Sequence, residues 1–320
     1  MYAKRQVPSV NSGQGNPIYE ANPGEAPCNV LSMLKRLGHD VAFIGKVEND
    51  IFGRQLKTAV ENVGIDTTGL VTDDDVRTTL AFVETFADGD RDFSFYRNLG
   101  ADMMLNPDDI NEDIIRGARI FHMGTLSMTH EPVRSATCKA VAVAQAAQAM
   151  ISFDPNIREP LWDNMDEARE QTAFGLAVCD ILKISDNEIQ WFTGEQDFDA
   201  GVKKLQDEYN IPLILLSLGK TGSRAYLKNN ITDVKAEVPA FVREDTIETT
   251  GAGDTFGGCC LHYVLGHCPE GTDINDVDWT AGDLKEMLTF ANKAASIITT
   301  RKGALAVMPT IEEIENEKEL

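Results

Sequence analysis

Basic residues are scarce in this chain: 29 Lys and Arg stand against 51 Asp and Glu over 320 residues, a formal charge of −22. That balance opposes binding to nucleic acid or to an anionic membrane, whose phosphates call for a basic surface. Any anionic ligand must therefore be met locally. There is no apolar run long enough to span a bilayer, no signal peptide and no internal repeat. The six cysteines (Cys28, Cys138, Cys179, Cys259, Cys260 and Cys268) are scattered, and no C-x-x-C pair suggests zinc or redox chemistry. Reduced thiols in a cytoplasmic protein are the expectation.

What is present is an alternation of strand and helix. Val30, Met33, Leu34 and Leu37 make one apolar helical face that Gly38 ends, and "VAFIG" follows as a buried strand. Short apolar strands recur at "ARIFHMG", "MISFDPN", "ILKIS" and "PLILLSLG", with helical stretches such as "VRSATCKAVAVAQAAQA" between them. Continuous apolar strands separated by helices predict an α/β fold, a mostly parallel central sheet flanked by helices. Ligands gather at the carboxyl ends of such strands, where "DPN", "KISDN", "SLGK" and "TTGAGD" fall. One segment breaks the rhythm. In 78–98, two β-rich halves flank Asp88-Gly89-Asp90, a hairpin signature, and this hairpin is expected to stand off the sheet as a small β lid.

Near the end of the chain, "ETTGAGDTFGG" sets Gly251, Ala252 and Gly253 before Asp254, and Phe256, Cys259, Cys260, Tyr263 and Val264 recur at helical spacing. The small residues therefore fall at a helix N-terminus, where unpaired N–H groups and the helix dipole favour an anion. Alone, the tetrapeptide also reads as a plain strand-to-helix turn. It is not G-x-G-x-x-G and comes late in the chain, which disfavours a dinucleotide-binding dehydrogenase.

Taken in order, "APCNV", "FIGKV", "FYRN", "GADMML", "GTLSMTHE", "SFDPNIR", "LKISDNE", "TGAGDTFGG" and "FANKAAS" resemble the PfkB, or ribokinase-like, carbohydrate kinases, nearest their bacterial fructokinases, from about Asn16 to Pro309. The resemblance implies a ribokinase-like core over 30–77 and 99–310 and a β lid over 16–29 and 78–98. The rest is an atypical N-terminal segment, 1–15, and an acidic end, 311–320. It implies transfer of the γ-phosphoryl group of ATP, with Mg²⁺, to a sugar hydroxyl. Gly251, Ala252 and Gly253 would form the anion hole and Asp254 would be the catalytic base. Asn29, Arg97, Asp154, Asn156 and Arg158 would bind the sugar; for Arg158 a surface pair with Glu159 is an equal alternative. Lys183, Ser217, Gly219, Lys220, Gly222 and Asn292 would bind ATP, and Asn187 the metal through water. A monovalent cation beside the "TTGAGD" loop, a homodimer through the lid, and a cytoplasmic location complete the expectation.

Four departures stand at sites the family uses. Relatives open on an apolar strand ending in a sugar-holding Asp, whereas "MYAKRQVPSVNSGQG" is polar, contains Pro8 and has no acid. Glu25 stands where a Gly would let backbone approach the sugar, and Glu48 replaces another Gly, with strain expected if φ is positive there. The family's N-x-x-E reads Asn187-Glu188-Ile189-Gln190, which loses the charge and leaves Glu188 expected to point elsewhere. A fructose kinase, a kinase for another sugar or nucleoside, and a non-catalytic relative that binds nucleotide or a partner all remain open on the sequence.

Overall fold

The computed structural model is described for residues 2–6, 19–85 and 91–317. Its strands are β1 (Tyr2–Gln6), β2 (Tyr19–Pro23), β3 (Ala42–Glu48), β4 (Asp66–Asp73), β5 (Leu80–Thr85), β6 (Arg91–Tyr96), β7 (Ile120–Gly124), β8 (Met150–Asp154), β9 (Ile181–Ser185), β10 (Leu213–Ser217), β11 (Gly222–Lys228) and β12 (Asp233–Pro239). The helices are α1 (Ala26–Arg36), α2 (Ile51–Asn62), α3 (Glu112–Arg116), α4 (Val133–Ala146), α5 (Met165–Val178), α6 (Asp186–Thr193), α7 (Phe198–Tyr209), α8 (Ala252–His267), α9 (Ala281–Ile298) and α10 (Ile311–Glu315).

The main sheet has the order β12-β11-β10-β9-β8-β7, parallel from β7 to β10 and antiparallel from β10 to β12. Successive residues of its central strands enter two different cores. Ile181, Leu213 and Leu215 pack with α1, α8 and α9, whereas Leu182, Ile184, Ile214 and Leu216 pack with residues of α3, α4, α5 and α7. Burial on both faces is why these strands read as unbroken apolar runs. The carboxyl ends align: Gly124 is opposite Asp154, and Ser185 is opposite Ser217.

A separate four-stranded sheet, β2-β1-β5-β6, forms the lid, and β3 and β4 pair in parallel as a third sheet. Two expected boundaries move. Tyr2–Gln6 is a strand, bonded antiparallel to β2 and parallel to β5, so the opening residues belong to the lid sheet. Ala26–Asn29, expected in the lid, already form the first turn of α1, where Pro27 sits without cost because its missing N–H has no helical acceptor. The hairpin halves pair as expected, Leu80 opposite Tyr96, while the turn at Asp88-Gly89-Asp90 lies outside the described residues.

Candidate active site

Gly251 caps α8 with φ +78°, the left-handed conformation that favours glycine, and a Cβ there would come within 2.6 Å of the Ala304 Cβ. The turn places Asp254 in the first turn of α8, buried, with its Oδ2 accepting from the Asn29 amide at 2.7 Å. Ala252 N–H donates to the Thr249 carbonyl at 3.3 Å. The N–H groups of Gly253 and Asp254 fall in the first turn of α8, at the positive end of the helix. Below Gly253 lies Lys183, whose Nζ would be 3.3 Å from an added Cβ.

Lys183 is the hub of the buried charges. Its Nζ lies 2.9 Å from Asp154 Oδ2. Burial works against its charge, but Asp154 and Glu188 outweigh that and hold it above the ordinary lysine value. Burial pushes the Asp154 carboxyl up to about 6 despite Lys183. Burial also raises Asp254, and Asn29, Lys183 and Arg158 pull it back only in part. Both carboxyls therefore lie above the ordinary aspartate value. Two buried oxygens in this group, Asn29 Oδ1 and Asp154 Oδ1, have no hydrogen-bond partner in the protein. Unpaired buried acceptors are costly, and hydroxyl donors of a ligand would satisfy them.

Glu188 was expected to point away and instead belongs to this cluster. The i, i+3 spacing of N-x-x-E is met two residues earlier by Ser185 and Glu188, which form a capping box at the head of α6. Glu188 Oε1 accepts from Ile157 N–H at 2.9 Å, fixing the loop after Asp154, and Oε2 accepts from the Ser185 hydroxyl at 2.6 Å. Burial would raise its carboxyl, but Lys183 and these bonds leave it below the ordinary value. Asn187 is exposed on the outer side, and Gln190 reaches the Gln196 carbonyl. The signal for Glu188 was in the sequence as a capping-box spacing.

The remaining candidates divide. Asn156, in the left-handed region at φ +44°, lines a cavity beside Asp154. Arg158 is exposed, donates to the Ile157 carbonyl at 3.1 Å and makes no ion pair with Glu159; its charge acts on Asp254. Arg97, expected to reach the sugar, is committed to protein: Nε donates to Asp102 at 2.7 Å, one terminal nitrogen to Thr129 at 3.0 Å and the other to the Leu126 carbonyl at 2.8 Å. It clamps the turn after β7. Ser217, Gly219, Lys220 and Gly222 form the turn after β10, with Lys220 exposed; Gly222 has φ +125° and backbone of Val238 and Pro239 packed where a side chain would go. Asn292 is buried, accepts from Ser223 and donates to the Val238 and Pro239 carbonyls, so it braces this edge through its whole amide.

Two departures prove harmless to the backbone. Glu25 is extended, φ −159°, a conformation open to any residue. Glu48 has no positive φ, and its buried carboxylate accepts from Arg77 at 2.6 Å and from Thr78 N–H at 3.4 Å.

Moving a phosphoryl group to a hydroxyl needs N–H donors for the charge on the phosphoryl oxygens and a base for the departing proton. The head of α8 sets backbone N–H groups beside a buried carboxylate, and the fold is that of the ribokinase-like α/β phosphotransferases. The pfkB family carbohydrate kinase model matches residues 11–311, and the chain belongs to that family. It is 41% identical over 288 residues to the probable fructokinase-2 of Arabidopsis thaliana, covering 90% of this chain and 84% of that one. To fructokinase-2 of Solanum lycopersicum it is 39% identical over 291 residues, covering 91% and 85%. Among solved structures, the fructokinase of Vibrio cholerae O395 in its fructose, ADP and calcium ion bound form superposes with a TM-score of 0.82 at 27% identity, covering 99% of this chain and 96% of that one. The fructokinase of Xylella fastidiosa with bound ATP gives 0.84 at 28%, covering 98% and 94%.

Proposed function

We propose that this chain is an ATP-dependent fructose kinase in which Asp254 is the general base. The observation that carries the mechanism is the buried Asp254 carboxylate, held by Asn29 behind the left-handed Gly251 turn and raised by burial above the ordinary aspartate value. The choice of sugar rests on the fructokinases of about 40% identity. A fructose hydroxyl would lie against Asp254 and lose its proton to it as its oxygen bonds to the γ-phosphorus. The bond from that phosphorus to the β-γ bridging oxygen breaks, releasing ADP. The N–H groups of Gly253 and Asp254 would receive the phosphoryl oxygens, with the turn of Gly251 and Ala252 shaping the approach. Asn29 Oδ1 and Asp154 Oδ1 would accept from other sugar hydroxyls. The Ser217 to Gly222 turn would border the nucleotide, braced by Asn292.

Among the described residues no cluster of three His, Cys, Asp or Glu can cage a metal. That donor set fits Mg²⁺ carried on the nucleotide, which keeps most of its waters, and Asn187, exposed near the head of α6, would reach it through one of them. When bound, the ion neutralises phosphate charge. A monovalent cation beside the Thr249 to Asp254 loop belongs to the same proposal; a Vibrio cholerae fructokinase variant has been solved with potassium. The aromatic row on the lid, with the exposed Tyr19 and Tyr96 on either side of the half-buried Phe82, supports a second copy docking there. A coupled ADP-release assay over a panel of sugars tests the reading: fructose should give the highest kcat/KM, and turnover with another sugar or a nucleoside alone would replace fructose as the substrate.

A further inference from the structure

The hairpin of the lid leaves the core by two short roots, 77–79 ahead of β5 and 97–101 after β6. Arg97 holds the second root. The first is held by Glu48, the last residue of β3, which stands where the family carries Gly. Its carboxylate is buried, with the side chain 7% exposed, whereas its partner Arg77 is a surface residue, 85% exposed, that reaches in to donate at 2.6 Å. Thr78 N–H donates to the same carboxylate at 3.4 Å, and the Thr78 hydroxyl accepts from Glu48 N–H at 3.1 Å. That hydroxyl donates onward at 3.2 Å to Asp50 Oδ1, the acceptor that caps α2 through Gly53 N–H at 2.7 Å.

The backbone of Glu48 is gripped as closely as its side chain, since a Cβ at Gly53 would lie 1.8 Å from the Glu48 carbonyl oxygen. A buried carboxylate is tolerated only while it is paired, and a charged acceptor makes the stronger bond, so Arg77 and Thr78 are held to this post together. The two roots are also stitched to each other. Ala101 N–H donates to the Arg77 carbonyl at 2.7 Å, and the Thr79 hydroxyl donates to Asp102, the partner of Arg97. On the far side of the same sheet, β2 brings Asn22 Oδ1 within 3.4 Å of where a Cβ on Gly303 would lie. Gly303 N–H donates to Glu248 at 2.8 Å, and its neighbour Ala304 backs Gly251. A tilt of the lid at its roots therefore moves the β2 edge against the turn that carries Asp254.

We propose that Glu48 is a positioning residue for the phosphoryl transfer: with Arg77 and Thr78 it latches the root of the lid and sets the angle at which the lid sheet meets the head of α8. The inference rests on the fructose kinase reading. Neither Glu48 nor Arg77 belongs to the group around Asp254, so the latch acts on capture of the sugar and not on the transfer step. A Gly at position 48 has no carboxylate with which to hold Arg77.

The test compares wild type with Glu48→Gln, Arg77→Gln and the double variant by fructose and Mg-ATP kinetics and, without substrate, by amide hydrogen exchange. Each single change should raise the fructose KM by about three- to tenfold and leave kcat and the Mg-ATP KM within about twofold. Exchange at 78–82 and 100–101 should quicken by at least about fivefold, with 181–185 and 213–217 unmoved. The double variant should be no worse than Glu48→Gln, because the two residues act as one pair. Should Glu48→Gln not fold, Arg77→Gln, a change at an exposed side chain, decides alone. Faster exchange at an unchanged fructose KM would reduce the pair to a structural tie and overturn the proposal. So would a raised KM at unchanged exchange, a fall in kcat alone, or additive effects in the double variant. A wild type without fructose turnover would instead count against the fructose kinase reading, and exchange at the roots would still decide whether Glu48 latches the lid.

Discussion

Burial raises the Asp254 carboxyl and the Asn29 hydrogen bond lowers it, and the two effects can be separated. Asn29→Leu removes a hydrogen bond to a charged group, worth about 1.5–3 kcal/mol, which corresponds to roughly one to two pH units. Because that bond lowers the carboxyl, its loss raises it, and the acidic limb of the kcat/KM profile should move up by that amount; an unmoved limb would detach Asn29 from the base. Gly251→Ala meets both the left-handed φ and the Ala304 Cβ, so a loss of about 1–3 kcal/mol in a urea titration is expected; unchanged stability would show that the turn relaxes freely. The glycine turn and Asp254 were legible in the sequence because the whole device lies within four adjacent residues. Glu188 was misread because the i, i+3 spacing occurs twice in overlapping registers, and the partner that decides between them, Ile157, is 31 residues away.

At the scale of elements, Arg97 at the end of the lid hairpin ties the lid to the turn after β7. A lysine has one nitrogen where this guanidinium uses three in a fixed fork. Arg97→Lys should therefore speed amide exchange through 125–129 and raise the sugar KM more than it lowers kcat; a change in kcat alone would mean that Arg97 acts on the reacting groups. The parallel core strands were legible because burial on both faces leaves apolar runs, and α4 and α5 showed in their helical stretches. β1 was not legible. "YAKRQ" carries no apolar run, and what makes it a strand is backbone pairing on both of its sides, to β2 and β5, which a polar sequence does not announce.

Across the whole molecule two buried groups pull pH stability in opposite directions. Burial holds His122 down to about 4, so between that value and its unfolded value of 6.5 the unfolded chain binds the extra proton and stability rises with pH. Asp154 is raised to about 6, so between 3.8 and about 6 the folded chain holds the extra proton and stability falls as pH rises. Relative to wild type, Asp154→Asn should steepen the rise of stability with pH in that window and His122→Gln should flatten or reverse it, each by up to about 1.4 kcal/mol per pH unit; parallel profiles would mean that neither group titrates as its burial implies. With a formal charge of −22 overall, the proposed function gives the head of α8 and Lys183 the task of meeting phosphate locally. The central claim is that this head carries out transfer to a sugar through Asp254. Its most direct test is fructose-dependent ADP formation from Mg-ATP by wild type and Asp254→Asn, with calorimetry showing that both bind nucleotide. The account expects turnover in wild type and a loss of about 10²- to 10⁴-fold in the variant at similar nucleotide affinity. Equal turnover in the two proteins would contradict it.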